Sequence, residues 1–169
     1  MKKVLILDTS VLCVWLQVKG FETCGPDDDR WDFDRVDNKI KSEIDNKVLL
    51  VLPLATIIET GNHIAQCNGD RYRHACDFAD FIKNAADEST PWAAFTQQSA
   101  LWNKEGLKNL ADRWIETAVG GQSLGDASIV DVANYYAESG YEVEILTGDS
   151  GLKSYEPKIK LPVPRRRIK

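Results

Sequence analysis

An unbroken apolar run, Val4-Leu5-Ile6-Leu7, ends directly on Asp8-Thr9-Ser10. A strand with one face in water alternates apolar and polar residues, whereas a run without alternation is covered on both faces, as strands of parallel sheets are. Residues 48–52 form a second such run, stopped by Pro53, and residues 143–146, with Glu144 among them, are a third strand candidate, closed by Thr147-Gly148-Asp149. Strands of this kind separated by helices predict an α/β fold: a three-layer sandwich with a central parallel sheet flanked by helices.

The helices show in the spacing of apolar residues. Leu54, Ile57, Ile58, Gly61, Ile64 and Ala65 recur at helical spacing and predict one buried stripe, with Glu59, Asn62 and His63 off it. Ala75, Phe78, Ala79, Ile82, Ala85 and Ala86 predict a second helix, closed by the break Ser89-Thr90-Pro91. Leu107, Leu110, Ala111, Trp114, Ile115 and Ala118 predict a third, ended by Gly120-Gly121. Residues 127–139 predict a fourth, with Ile129, Val130, Ala133, Tyr136 and Ala137 on one face and Gly140 after it.

Residues 22–38 read differently. Gly25-Pro26 breaks the chain and Asp27, Asp28, Asp29, Asp32, Asp34 and Asp37 crowd it with charge. Counted from Asp27 as a calcium loop, Trp31 falls on a ligand position and the turn glycine is missing, so the segment reads as a solvated acidic insertion.

With 169 residues, 43% of them hydrophobic, the chain can bury the core of one domain. No stretch approaches the ~20 apolar residues of a membrane span, and the run before Asp8 is too short for a signal-peptide core. A cytoplasmic protein is the expectation. The four cysteines, Cys13, Cys24, Cys67 and Cys76, show no paired spacing, which points to buried or partly buried thiols rather than zinc ligands. The net charge of −5 is uneven: from Lys153 onward seven basic residues face one acid, while the preceding 152 residues carry 14 basic and 25 acidic ones. Phosphate-binding charge would therefore lie partly in a basic tail, residues 157–169, with Lys153, Arg165, Arg166 and Arg167 as weak RNA-binding candidates. A solubilising tail is the alternative reading.

In open parallel sheets, ligands bind beyond the carboxyl ends of the strands. Asp8 follows the first run, Asp149 follows the last, and Asp126 opens the helix that leads into the last. Alone, Asp126 reads as a helix cap and Asp149 as a turn or cap. Together they bring acids from distant parts of the chain to one rim. Clustered carboxylates repel, so such a group takes up protons or cations, and hard oxygen ligands with few histidines suit Mg2+ (or Mn2+). Such an ion polarises a phosphodiester and activates water with no nucleophilic side chain.

Four segments, Val4–Val11, Leu52–Asn62, Leu124–Ala133 and Ile145–Leu152, resemble in order the signature segments of PIN-domain nucleases, most closely the bacterial toxin-type ribonucleases of toxin–antitoxin pairs. Each segment alone is weak, but the ordered set is specific. The resemblance implies a PIN-like sheet and magnesium-dependent endonucleolytic cleavage of RNA in a single domain. It assigns Asp8, Glu59, Asp126 and Asp149 as catalytic, metal-binding acids. It also implies support of Asp8 by Thr9 or Ser10 and of Asp149 by Thr147, a cognate antitoxin or inhibitor protein as partner, and a homodimer. Asn62 would orient Glu59, and a solvent-facing polar patch is the alternative at that position. Asp131, roughly 140° around the helix from Asp126, would lie one layer behind the acids or on the surface. Residues 25–37 and 89–106, with Trp92 and Trp102, look like material added to the family pattern.

Two other classes compete. A haloacid-dehalogenase-like phosphatase would use Asp8 as nucleophile, but the second Asp of that pattern is Ser10 here. A non-catalytic PIN-fold binding module would keep the fold without the chemistry.

Overall fold

The computed structural model describes residues 1–158. Strand β1 (Lys3–Leu7) leads into helix α1 (Thr9–Trp15), and a small antiparallel hairpin of β2 (Thr23–Cys24) and β3 (Trp31–Asp32) follows. Helix α2 (Phe33–Asp45), strand β4 (Leu49–Val51), helix α3 (Leu54–Gln66) and helix α4 (Arg71–Ala86) come next. A 3-10 helix (Phe95–Trp102), helices α5 (Lys104–Ala118) and α6 (Leu124–Glu138), strand β5 (Glu142–Leu146) and the short helix α7 (Ser150–Lys153) complete the described residues.

The sheet is parallel, with β1 between β4 and β5. Its central strand has no apolar–polar alternation because both of its faces are covered: Val4, Leu5, Ile6 and Leu7 are all fully buried. Leu5 and Leu7 face a core built with α1 to α4, while Val4 and Ile6 face one built with α6. Each such side chain contributes about 1.5–3 kcal/mol by leaving water. The predicted α/β layering therefore stands.

Three predicted features change. The acidic stretch is not a solvated insertion throughout, because its second half is α2, capped by Asp32 through Arg35 N and sealed to the core by Val36 and Ile40. Residues 89–106, read as added to a family pattern, are built into the fold. Trp92 is buried, and the backbone around it pairs in parallel with Leu50 at the outer edge of β4. Finally, α3 buries the line Thr56, Thr60 and Ile64, whereas Ile58 is 55% exposed. A hydroxyl tolerates burial when it finds a partner, and Thr56 Oγ1 donates to Leu7 O at 2.8 Å.

A group of four charges lies on the α2 side of the sheet. Lys3 Nζ is 2.7 Å from Glu43 and 2.6 Å from Glu144, and Lys39 Nζ reaches the same two carboxylates at 2.6 and 3.0 Å. Burial alone would raise both glutamates, but the lysine hydrogen bonds hold each below its ordinary range. Among the described residues, no helix is long and apolar enough to cross a membrane. The same residues show no disulfide: Cys13 and Cys67 are buried, Cys24 is half-buried, and Cys76 is exposed where the sequence points to a buried or partly buried thiol.

Candidate active site

From β1 the chain steps outward to β4, then returns across the sheet to β5 on the other side. The strand order thus reverses between β1 and β5, and a crevice opens at their carboxyl ends. Asp8 N donates to Leu146 O at 3.1 Å, closing the two strand ends together. Asp8 is only 6% exposed. Its Oδ2 accepts from Ser10 Oγ at 2.7 Å and from Thr147 Oγ1 at 2.8 Å, with Ser10 N at 3.3 Å. Thr147 Oγ1 in turn accepts from Asp149 N at 2.9 Å. Thr147 therefore supports the first acid as well as the last.

Glu59 reaches the same rim from α3. Thr9 Oγ1 donates to its Oε2 at 3.1 Å, so Thr9 holds Glu59 rather than Asp8. Exposed Asn62 makes no hydrogen bond to Glu59, contrary to the expectation from sequence. The other oxygen of Glu59 lies so close over Gly125 that a Cβ at that residue would collide with it. Gly125 therefore lets α6 approach α3 and puts Asp126 near Glu59.

Asp126 is not the cap of α6. Ser123 is, its Oγ accepting from Asp126 N at 3.0 Å, which leaves Asp126 in the first turn beside the crevice. Asp149 does cap α7: its Oδ1 accepts from Gly151 N and Leu152 N at 2.7 and 3.2 Å. Asp126 and Asp149 line one cleft of about 230 Å³ with Gln122 and Leu152.

The acids feel one another. Burial raises the Glu59 carboxyl above its ordinary range, and the charges of Asp8 and Asp126 add to that, against the Thr9 hydrogen bond. Burial likewise raises Asp126, helped by the charges of Asp8 and Asp149 and opposed by Ser123. Oxygen donors that repel in this way suit a hard divalent cation in kind. As they lie, however, no three His, Cys, Asp or Glu side chains among the described residues form a group able to hold a metal ion.

The remaining candidates sit elsewhere. Asp131 is not on the surface: it is 8% exposed and ion-paired with Arg113 of α5. Lys153 Nζ is taken by Ile145 O and Glu156 at 2.9 and 2.6 Å, so it ties α7 to β5. Arg165, Arg166 and Arg167 lie outside the described residues, as does most of the 157–169 tail. Sequence reasoning missed Gly125 and Gly148, which immediately precede two of the acids; a glycine directly before each acid was the available signal. Comparison of the chain with protein-family models, curated proteins and solved structures finds no match.

Proposed function

We propose that this chain is a magnesium-dependent endoribonuclease of PIN type that hydrolyses RNA phosphodiester bonds. One observation carries the reading: four acids from separate elements converge where the strand order reverses, each within electrostatic reach of another. Asp8, Glu59, Asp126 and Asp149 would hold Mg2+ (or Mn2+), which when bound polarises the phosphodiester and makes hydroxide available. Ser10 and Thr147 hold one oxygen of Asp8 in place. Thr9 holds one oxygen of Glu59, and the other lies over Gly125. Ser123 caps α6 and also hydrogen-bonds the Asp126 carboxylate, holding it in the first turn beside the site.

The test is cleavage of RNA with Mg2+, abolished by EDTA and by Asp8→Asn and Asp126→Asn. Retained cleavage in both variants would sink the reading.

One observation favours a second reading, a non-catalytic binding module: the acids as they lie form no three-residue metal group. Calorimetry that detects no Mg2+ binding would select it. The phosphatase alternative is disfavoured by Ser10, whose hydroxyl occupies Asp8 Oδ2 where a second acid is needed. A trapped phosphoryl group on Asp8 would revive it. A cognate inhibitor protein belongs to the toxin-type reading and is tested by co-purification. The homodimer has some support in the exposed stripe Leu107, Ile115 and Val119 along α5, and light scattering tests it.

A further inference from the structure

We infer that the β2–β3 hairpin is a positioning clamp on the loop between β5 and α7, acting through Cys24 and Gly25 against Gly148. The inference rests on the reading of Asp8 and Asp149 as the working acids. A Cβ at Gly148 would lie 2.6 Å from Gly25 N, 2.8 Å from Cys24 Sγ and 2.9 Å from Cys24 Cβ. Gly148 is not among the glycines with positive φ, so its own backbone does not demand glycine. What excludes a side chain there is the hairpin, pressed against the loop at backbone distance.

Gly148 stands between Thr147 and Asp149, and its N–H donates to Ser10 Oγ at 2.9 Å. The same Ser10 Oγ donates to Asp8 Oδ2. Displacing Gly148 therefore disturbs both supports of Asp8 and the backbone of Asp149 together. Cys24 also places its thiol against Ser10.

The clamp has a firm seat. Gly25 adopts φ +91°, and a Cβ on it would come within 2.5 Å of Asp29 O, so the turn closes only with glycine. Cys24 and Trp31 pack on the core, and the Arg35 guanidinium stacks 3.8 Å above the Trp31 ring. Asp32, at the hairpin's far end, caps α2. These residues act through Gly148 and Ser10 rather than on a substrate, which makes them positioning residues.

The experiment compares three changes in the full chain: Gly148→Ala, residues 23–30 replaced by an equal-length Gly/Ser stretch, and both together. Amide hydrogen exchange at Gly148 and Asp149, read without RNA, should quicken about tenfold when the hairpin is replaced. Gly148→Ala should lower kcat and leave KM unchanged in the native-hairpin background, and add nothing once the hairpin is gone. Unchanged exchange, or equal cost of Gly148→Ala in both backgrounds, would overturn the clamp. If the replaced chain does not fold, Cys24→Gly, which removes both Cys24 atoms that press on Gly148, supplies the same exchange readout with the hairpin retained, with quickened exchange supporting the clamp and unchanged exchange refuting it. A wild-type chain that cuts no RNA overturns the nuclease reading, and hydrogen exchange still decides the clamp.

Discussion

Thr147 Oγ1 lies 2.8 Å from Asp8 Oδ2, joining residues 139 apart in sequence across the ends of β5 and β1. Thr147→Val keeps the side-chain shape and removes the donor. Because Asp8 is buried, losing that bond should cost about 1–3 kcal/mol of stability. RNA cleavage should fall further than stability, since Ser10 alone then aims the carboxylate. Thermal unfolding and kcat measured on the same sample check both.

Asp126→Asn should stabilise the fold while abolishing cleavage. The folded state raises the Asp126 carboxyl, so its cost is absent at low pH, grows as pH rises through the raised value, and is fully present at neutrality. Removing the charge should relieve roughly 1 kcal/mol after solvent screening, or about 2–4 °C in Tm for a domain of this size. A Tm below wild type at pH 7 would contradict this.

The Lys3–Lys39–Glu43–Glu144 group has the opposite sign. Both glutamates are held below their ordinary range in the fold, so their contribution is complete above the unfolded value near 4.5 and disappears as pH falls through the folded values. Glu43→Gln should lose about 1–3 kcal/mol at pH 7 and much less at pH 3. Denaturant melts at the two pH values measure the difference.

Gly125→Ala should damage activity more than fold. Its new methyl meets the Glu59 carboxylate, a movable group, so α6 survives while Glu59 is pushed aside. Alanine also favours the helix over glycine by about 1 kcal/mol. We expect unchanged or raised Tm with at least tenfold lower kcat, and equal kcat would refute the assignment of Glu59.

Saturating Mg2+ should raise Tm of the wild type and not of Asp126→Asn. Binding to the folded state at a hundred times Kd contributes about 2.7 kcal/mol. Equal shifts in the two proteins would place the ion elsewhere.

The sheet and two of the candidate acids, Asp8 and Asp149, are legible in the sequence because their signals are local: an apolar strand and the acid just after it. The α2 helix is not, because six aspartates across residues 27–37 obscure the four-residue steps Val36, Ile40 and Ile44 that seat it. The face of α3 is misjudged because sequence hydropathy treats Thr56 as a surface residue, whereas Leu7 O makes it a core one. Helical proximity favours Asn62 as the partner of Glu59, but Thr9, from another helix, holds it. Contacts that join distant segments leave no trace in local spacing.

Because β1 is the central strand, the crevice has two banks synthesised at different times. Asp8 precedes Thr147 and Asp149 by the whole stretch from α1 to β5. A growing chain therefore carries Asp8 without its second hydroxyl or its opposing acid until nearly all of the described fold exists. The rim is thus one of the last parts of the described fold that can close, because it needs segments from both ends of those residues.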